Sequence, residues 1–153
     1  MTDRCTLYAM PASLYSAKAR SYLRTHGIPF TEVAPGSARF TEHVVPAVGR
    51  WIMPVLELPD GTLVQDSIDI MDVLDADEDP ARSAYPAGPV LRAVAHVLEL
   101  FAGEGLLRPA MHYRWNFDDA NLAFLSRDFS AEEGEVGVVE VPDRKSTRLN
   151  SSH

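Results

Sequence analysis

The stretch WIMPVLELPDGTLVQDSIDIMDVL, Trp51 to Leu74, constrains the fold more than any other part of the chain. It reads as strand, tight hairpin, strand and helix. Pro54 stands directly before the alternation Val55, Leu56, Glu57, Leu58. Proline has no N–H to give a sheet ladder, so it belongs at the head of a strand or on an edge. Pro59-Asp60-Gly61 marks a hairpin, with Gly61 supplying the positive φ that a two-residue loop wants. The return strand, Thr62 to Gln65, is short and β-rich. Asp66 and Ser67 then precede Ile68, Ile70, Met71 and Leu74, a helical stripe with capping residues in front of it.

Upstream, Thr6 to Met10 is a short buried-strand candidate bounded by Pro11. Ser13 opens a helix to about Thr25, with Ala17, Ala19, Tyr22 and Leu23 apolar and Lys18, Arg20 and Arg24 polar. His26-Gly27 closes it, with Pro29 beyond. Pro29 to Val33 is a second strand, and FTEHVV, within a mixed segment from Ala34 to Arg50, one short helix. The order β-α-β-α-β-β-α resembles the thioredoxin-like fold, an α/β domain that is parallel at first and antiparallel at the end.

A proline heading a strand, a D-G hairpin and an acid-Ser helix start, in this order, resemble the glutathione-binding half of the glutathione S-transferase family over roughly residues 5 to 76. In that family the proline is cis, and the residue before it offers its backbone to the cysteinyl unit of glutathione. The acid-Ser pair holds the γ-glutamyl end. Those roles fall on Met53, Pro54, Asp66 and Ser67. Only the resemblance carries the cis reading, since about 5–6% of X-Pro bonds in folded proteins are cis; without it Pro54 reads as an edge-strand proline in trans, and Asp66 and Ser67 as helix caps. Capping and ligand binding are compatible, because helix N-terminal N–H groups receive carboxylates. For the glycyl carboxylate a cation is expected from Arg39, His43 or Arg50.

Ser13 is the candidate catalytic residue. A helix N-terminus concentrates unpaired N–H groups and partial positive charge, which favours a nearby thiolate. In serine-type members of the family, Pro-x-Ser before the first helix has this role. Here it stands as Met10-Pro11-Ala12-Ser13, with Arg20 near the usual basic position downstream. A plain helix N-cap would also explain a serine at this position. The single cysteine, Cys5, lies at the edge of the first strand, which disfavours thiol-exchange chemistry and excludes an internal disulfide.

The formal charge of −8 argues against nucleic acid and anionic membranes as main partners. No apolar run approaches the ~18 residues of a membrane span. The start MTDRCTLYAM lacks the apolar core of a signal peptide. A cytoplasmic setting is the default expectation. His26, His96 and His112 show no metal-ligand spacing, so no metal is expected.

By the resemblance the domains are 1–76, glutathione-binding, and 90–142, an incomplete all-α second domain, with a Pro- and Ala-rich linker over 77–89. Val90, Val94, Val97, Leu98 and Phe101 recur at helical spacing. A further helical stretch from Leu106 to Phe129 is expected to break near Pro109, and Glu132 to Val141 shows no partner. Tyr113, Trp115 and Phe117 either line an electrophile pocket or pack on a neighbouring domain. The last eleven residues, DRKSTRLNSSH, match one reading frame of a widely used sequencing-library adapter, so Asp143 to His153 reads as an artefact with the natural gene continuing past it.

The resemblance implies a glutathione transferase joining the glutathione thiolate to a small electrophile, with homodimerisation the family habit. The alternative is a non-catalytic binding or interaction module on the same fold. Two departures from the family pattern favour it: Met10 precedes Pro11 where a small polar residue is common, and the stretch before Pro54 reads GRWIM.

Overall fold

The computed structural model describes residues 4–129 and 139–140. The adapter-like tail from Asp143 lies outside them. Two compact units divide within the last turn of the third helix, one reaching Val73 and the other starting at Leu74.

The first unit follows the expected order. Strand β1 (Cys5–Tyr8) leads to helix α1 (Leu14–His26), strand β2 (Phe30–Val33), a π-helical turn (Phe40–Val44) continuing as α2 (Val45–Val48), strands β3 (Val55–Glu57) and β4 (Leu63–Gln65), and helix α3 (Ser67–Asp75). The sheet order is β4-β3-β1-β2-β5, where β5 is Val139–Glu140. β1 runs parallel to β2, with Cys5 opposite Phe30, and antiparallel to β3, with Leu7 opposite Leu56.

Strand alternation sorts the core. On one face Tyr8 and Val55 pack with Phe40 and Val44 of the π-turn segment. Cys5, Leu7 and Leu56 point to the other face; Ala19 and Leu23 of α1 and Ile70 of α3 are equally buried. α1 ends as its sequence demands. Gly27 has φ 68°, its N–H reaches the Arg24 carbonyl at 3.2 Å, and Ile28 N–H reaches the Leu23 carbonyl at 2.9 Å. This is a Schellman close, for which glycine supplies the left-handed residue.

The hairpin differs from expectation. Leu58 pairs with Thr62 across a three-residue loop, Pro59-Asp60-Gly61, with the Gly61 N–H on the Leu58 carbonyl and Gly61 at φ 89°. A two-residue loop would have placed Pro59 in the ladder, where it has no N–H to give. β5 is also a correction, since Glu132 to Val141 was expected to lack a partner. Glu140 pairs with Thr31 and Val139 with Glu32, antiparallel on the edge β2 would otherwise expose.

The second unit holds helices α4 (Pro89–Leu100, extended by a π-helical turn Phe101–Gly105), α5 (Leu107–Trp115) and α6 (Asp118–Phe129). The break expected at Pro109 falls instead at Asn116–Phe117. Pro109 sits in the first turn of α5, where the missing N–H costs nothing. Asn121 closes α5 from beyond the break, its amide donating to the Tyr113 and Arg114 carbonyls at 2.6 and 3.1 Å. The linker folds back on the end of α3, where both Asp75 carboxylate oxygens accept, one from the Ser83 hydroxyl and one from the Ala84 N–H.

Candidate functional site

The register of the sheet decides which loops meet. Tyr8 ends β1 opposite Val55, which begins β3, and Gln65, which ends β4, is also opposite Val55. The segments that follow Tyr8, precede Val55 and follow Gln65 therefore leave the sheet at one end. Those segments are Met10–Ser13, Met53–Pro54 and Asp66–Ser67, all in the first unit. A hydrogen bond from Asp66 N–H to the Pro54 carbonyl, 3.4 Å, ties the last two together.

Ser13 is the N-cap of α1. Its backbone is extended (φ −81°, ψ 124°), and its hydroxyl oxygen accepts the Ser16 N–H at 3.1 Å. That bond uses a lone pair and leaves the hydroxyl hydrogen available to donate. Ser13 is half-buried, at the positive end of a 13-residue helix.

The Met53–Pro54 peptide is cis, and Pro54 is fully buried beneath a half-buried Met53. Asp66 has φ 81°, and its carboxylate accepts the Ile68 N–H at 2.8 Å while its carbonyl accepts the Ile70 N–H. A non-glycine residue at positive φ is uncommon, and aspartate is among the few that tolerate it. The Asp66 carboxylate thus caps α3 from a half-buried position, and Ser67 beside it is 2% exposed.

The three cations considered for a carboxylate are placed differently. Arg39 is engaged: its guanidinium pairs with the Glu57 carboxylate through Nη2 and Nε, and Nε also donates to the Tyr8 hydroxyl at 3.0 Å. Arg50 donates to Gln65 Oε1 at 2.7 Å. His43 is exposed on the π-helical turn.

The sequence reading missed a polar network that runs from Tyr8, at this end of the sheet, to Glu57, at the far end of β3. The buried Tyr8 hydroxyl donates to Glu57 Oε2 at 2.8 Å. Burial first, and then the Glu57 bond and charge, push Tyr8 up to about 12. Arg39 holds Glu57 below the usual carboxylate range, with Tyr8 adding a further bond, and Glu57 and Tyr8 in turn push the Arg39 guanidinium up. On the other flank, Arg20 forks onto Glu32, Nε to Oε2 at 2.7 Å and Nη2 to Oε1 at 2.6 Å. The signal was present in both strands, since an acid inside a short apolar strand needs a cation.

Cys5 is buried, and burial raises its pKa, which keeps the thiol protonated. In the second unit Tyr113 and Phe117 stack at 5.6 Å with His112 edge-on to both, and Tyr113, Trp115 and Phe117 are all exposed. Among the described residues no group of three His, Cys, Asp or Glu side chains could hold a metal, and no helix is long and apolar enough to cross a membrane.

Residues 7–82 match the family model of the glutathione S-transferase N-terminal domain. No protein of curated function matches the sequence. Among solved structures, the chain is similar to a glutathione transferase homolog from Sulfitobacter with bound glutathione, at 16% identity and TM-score 0.56, covering 78% of this chain and 57% of that one. It is similar to a glutathione S-transferase of Ceriporiopsis subvermispora in complex with glutathione, at 21% identity and TM-score 0.52, covering 68% of this chain and 48% of that one. A possible glutathione S-transferase from Rhodopseudomonas palustris matches at 23% identity and TM-score 0.55, covering 83% and 67%. At these identities the likeness is one of fold, and the chain spans about half the length of the first two.

Proposed function

The chain belongs to the glutathione S-transferase family through its N-terminal domain, and on that premise we propose that it binds glutathione and joins its thiolate to a small electrophile. The observation that supports this most is the convergence of Met10–Ser13, Met53–Pro54 and Asp66–Ser67 at one end of the sheet. Structural relatives from Sulfitobacter and Ceriporiopsis hold glutathione.

In this proposal Met53 offers its backbone to the cysteinyl unit as an added strand would. Asp66 and Ser67 receive the γ-glutamyl end, where the Asp66 carboxylate suits an ammonium and the start of α3 suits a carboxylate. The sulfur lies at the N-terminus of α1 and accepts the Ser13 hydroxyl hydrogen. A cysteine-like thiol with a pKa of about 8.5 is only a few per cent ionised at neutral pH. Each unit by which the site lowers that value stabilises the thiolate by about 1.4 kcal/mol. The Ser16 N–H on the Ser13 oxygen fixes the hydroxyl's direction before the ligand arrives, which is positioning rather than bond chemistry. The thiol gives its proton to solvent, and the sulfur lone pair forms a C–S bond to the electrophile as the electrophile's leaving group departs with its bonding pair or, in an addition, as its π bond breaks and takes up a proton from solvent.

Residues 1–76 then form the glutathione domain, 77–89 the linker and 90–142 part of a helical second domain, in a protein that is cytoplasmic and, by family habit, a homodimer. Ser13→Ala tests the proposal. Turnover with a model electrophile should fall ~100-fold, the scale for one transition-state donor, with glutathione affinity changed by less than about threefold. Equal turnover in the two proteins would remove Ser13 from the role.

The capping bond of Ser13 by itself accounts for a serine there, and this favours a second reading, a binding module that does not turn over. Retention on immobilised glutathione with release by free glutathione, but without Ser13-dependent turnover, would select that reading. Loss of retention would remove glutathione from both.

A further inference from the structure

Met10 opens the loop that carries Ser13, and side chains of α1 hold both of its backbone polar groups. Its N–H donates to Ser16 Oγ at 3.4 Å, and Ser16 is fully buried. Its carbonyl accepts the Ser13 N–H at 3.1 Å and Arg20 Nη2 at 3.4 Å. Residues 13, 16 and 20 are three and four apart, so they share one face of the helix. Arg20 is held from the far side by the two-pronged contact with Glu32 of β2, and the two side chains are only 13% and 10% exposed.

The guanidinium is thus a fixed bridge between β2 and the turn that ends in Ser13. A planar fork suits this task. Two of its donors are set by the carboxylate, so the direction in which Nη2 faces the Met10 carbonyl is set as well. An ammonium on a flexible stem would carry the same charge without that direction.

We propose that Arg20 is a positioning residue for Ser13: clamped by Glu32, it fixes the Met10 carbonyl, which fixes the Ser13 N–H and so the direction of the Ser13 hydroxyl. This rests on the reading of Ser13 as the thiolate's hydrogen-bond donor. Arg20 touches no reacting atom. Its influence passes through two hydrogen bonds of the loop.

The test uses the full chain. Removing one member alone leaves a buried charge without its partner and risks the fold, so the main variant is the double change Arg20→Met/Glu32→Leu, which removes both charges together. Arg20→Lys is the companion, keeping the charge and losing the fork. For the double variant, retention on immobilised glutathione should persist. kcat with a model electrophile should fall about tenfold at little change in KM, and the midpoint of the pH profile of kcat/KM should move up by about one unit. Arg20→Lys should restore little of the loss. Amide hydrogen exchange at Ser13 and Ser16 should speed up in the double variant while that at Leu23, in the same helix, stays unchanged.

A folded double variant with wild-type kcat, pH profile and exchange at Ser13 and Ser16 would overturn the inference and leave Arg20 as a tie between α1 and β2. Full recovery by Arg20→Lys would overturn the fork as the essential feature. If the wild type binds glutathione without Ser13-dependent turnover, the functional proposal fails by itself. The exchange comparison at Ser13 and Ser16 then decides the positioning role alone.

Discussion

The two units bury their apolar residues to very different degrees. In the sheet unit Leu7, Tyr8, Leu23, Phe30, Phe40, Val55, Leu56 and Ile70 are wholly inaccessible. In the helical unit Leu125 is the one buried large hydrophobic among the described residues, while Val90, Val97, Leu98 and Leu100 are each more than half exposed. Both sequences are rich in apolar periodicity, so pattern alone does not produce a core. A sheet unit closes because residues 49 apart in the chain meet across its strands, whereas α4 presents an open apolar groove along Pro89, Val94 and Val97. Exposed apolar area of this kind is where association begins.

Leu56→Ala, in the middle of the sheet, should lower stability by about 2–5 kcal/mol in urea denaturation. Leu98→Ala, on α4, should stay within about 0.5 kcal/mol. Equal losses would mean that the helical unit shares the core. Next, Tyr8→Phe removes a buried donor and leaves Glu57 with one partner fewer, for an expected cost of about 1–2 kcal/mol.

The same network sets two pH limits on the sheet unit. Tyr8 is raised in the folded state, so its contribution is complete below pH 10 and disappears as pH rises from 10 to about 12. After allowance for solvent screening this is worth about 1–2 kcal/mol. Glu57 is depressed, so its contribution is complete above its ordinary value of 4.5 and disappears as pH falls below that through the folded value. Urea midpoints measured across both limits in wild type and Tyr8→Phe should converge at alkaline pH; a constant gap would show that the hydroxyl's titration is not linked to folding.

Much of the fold was legible because its signals are local. Gly27 after His26, Gly61 after Pro59-Asp60, and Asp66-Ser67 before an apolar stripe each fix a turn or cap within a few residues, and the structure has a turn or cap at each. The candidate site residues were legible for the same reason, as they sit at caps and at a strand head. The acids Glu32 and Glu57 called for cations, but which cations was not legible, because Arg20 and Arg39, 12 and 18 residues away, meet them only in the folded unit. Pro109 misled in the other direction. A helix-breaking residue is harmless in a first turn, and which turn is first depends on Gly105 and Leu106 before it rather than on the proline.

The strand that leaves earliest in the chain, β1, lies between β2 and β3, and its two neighbours reach it at very different times. During synthesis Phe30–Val33 can dock soon after α1 has formed. Val55–Glu57 comes only after the whole segment that carries Phe40 and Trp51. Through that interval one side of β1 is a bare row of N–H and C=O groups, able to accept a strand from any neighbouring chain. Long-range pairing of this kind is slow and exposes the nascent chain to aggregation. The time taken to make the residues between Val33 and Val55 is thus one interval of hazard, and the outer edge of β2, covered by Val139–Glu140, stays bare for longer.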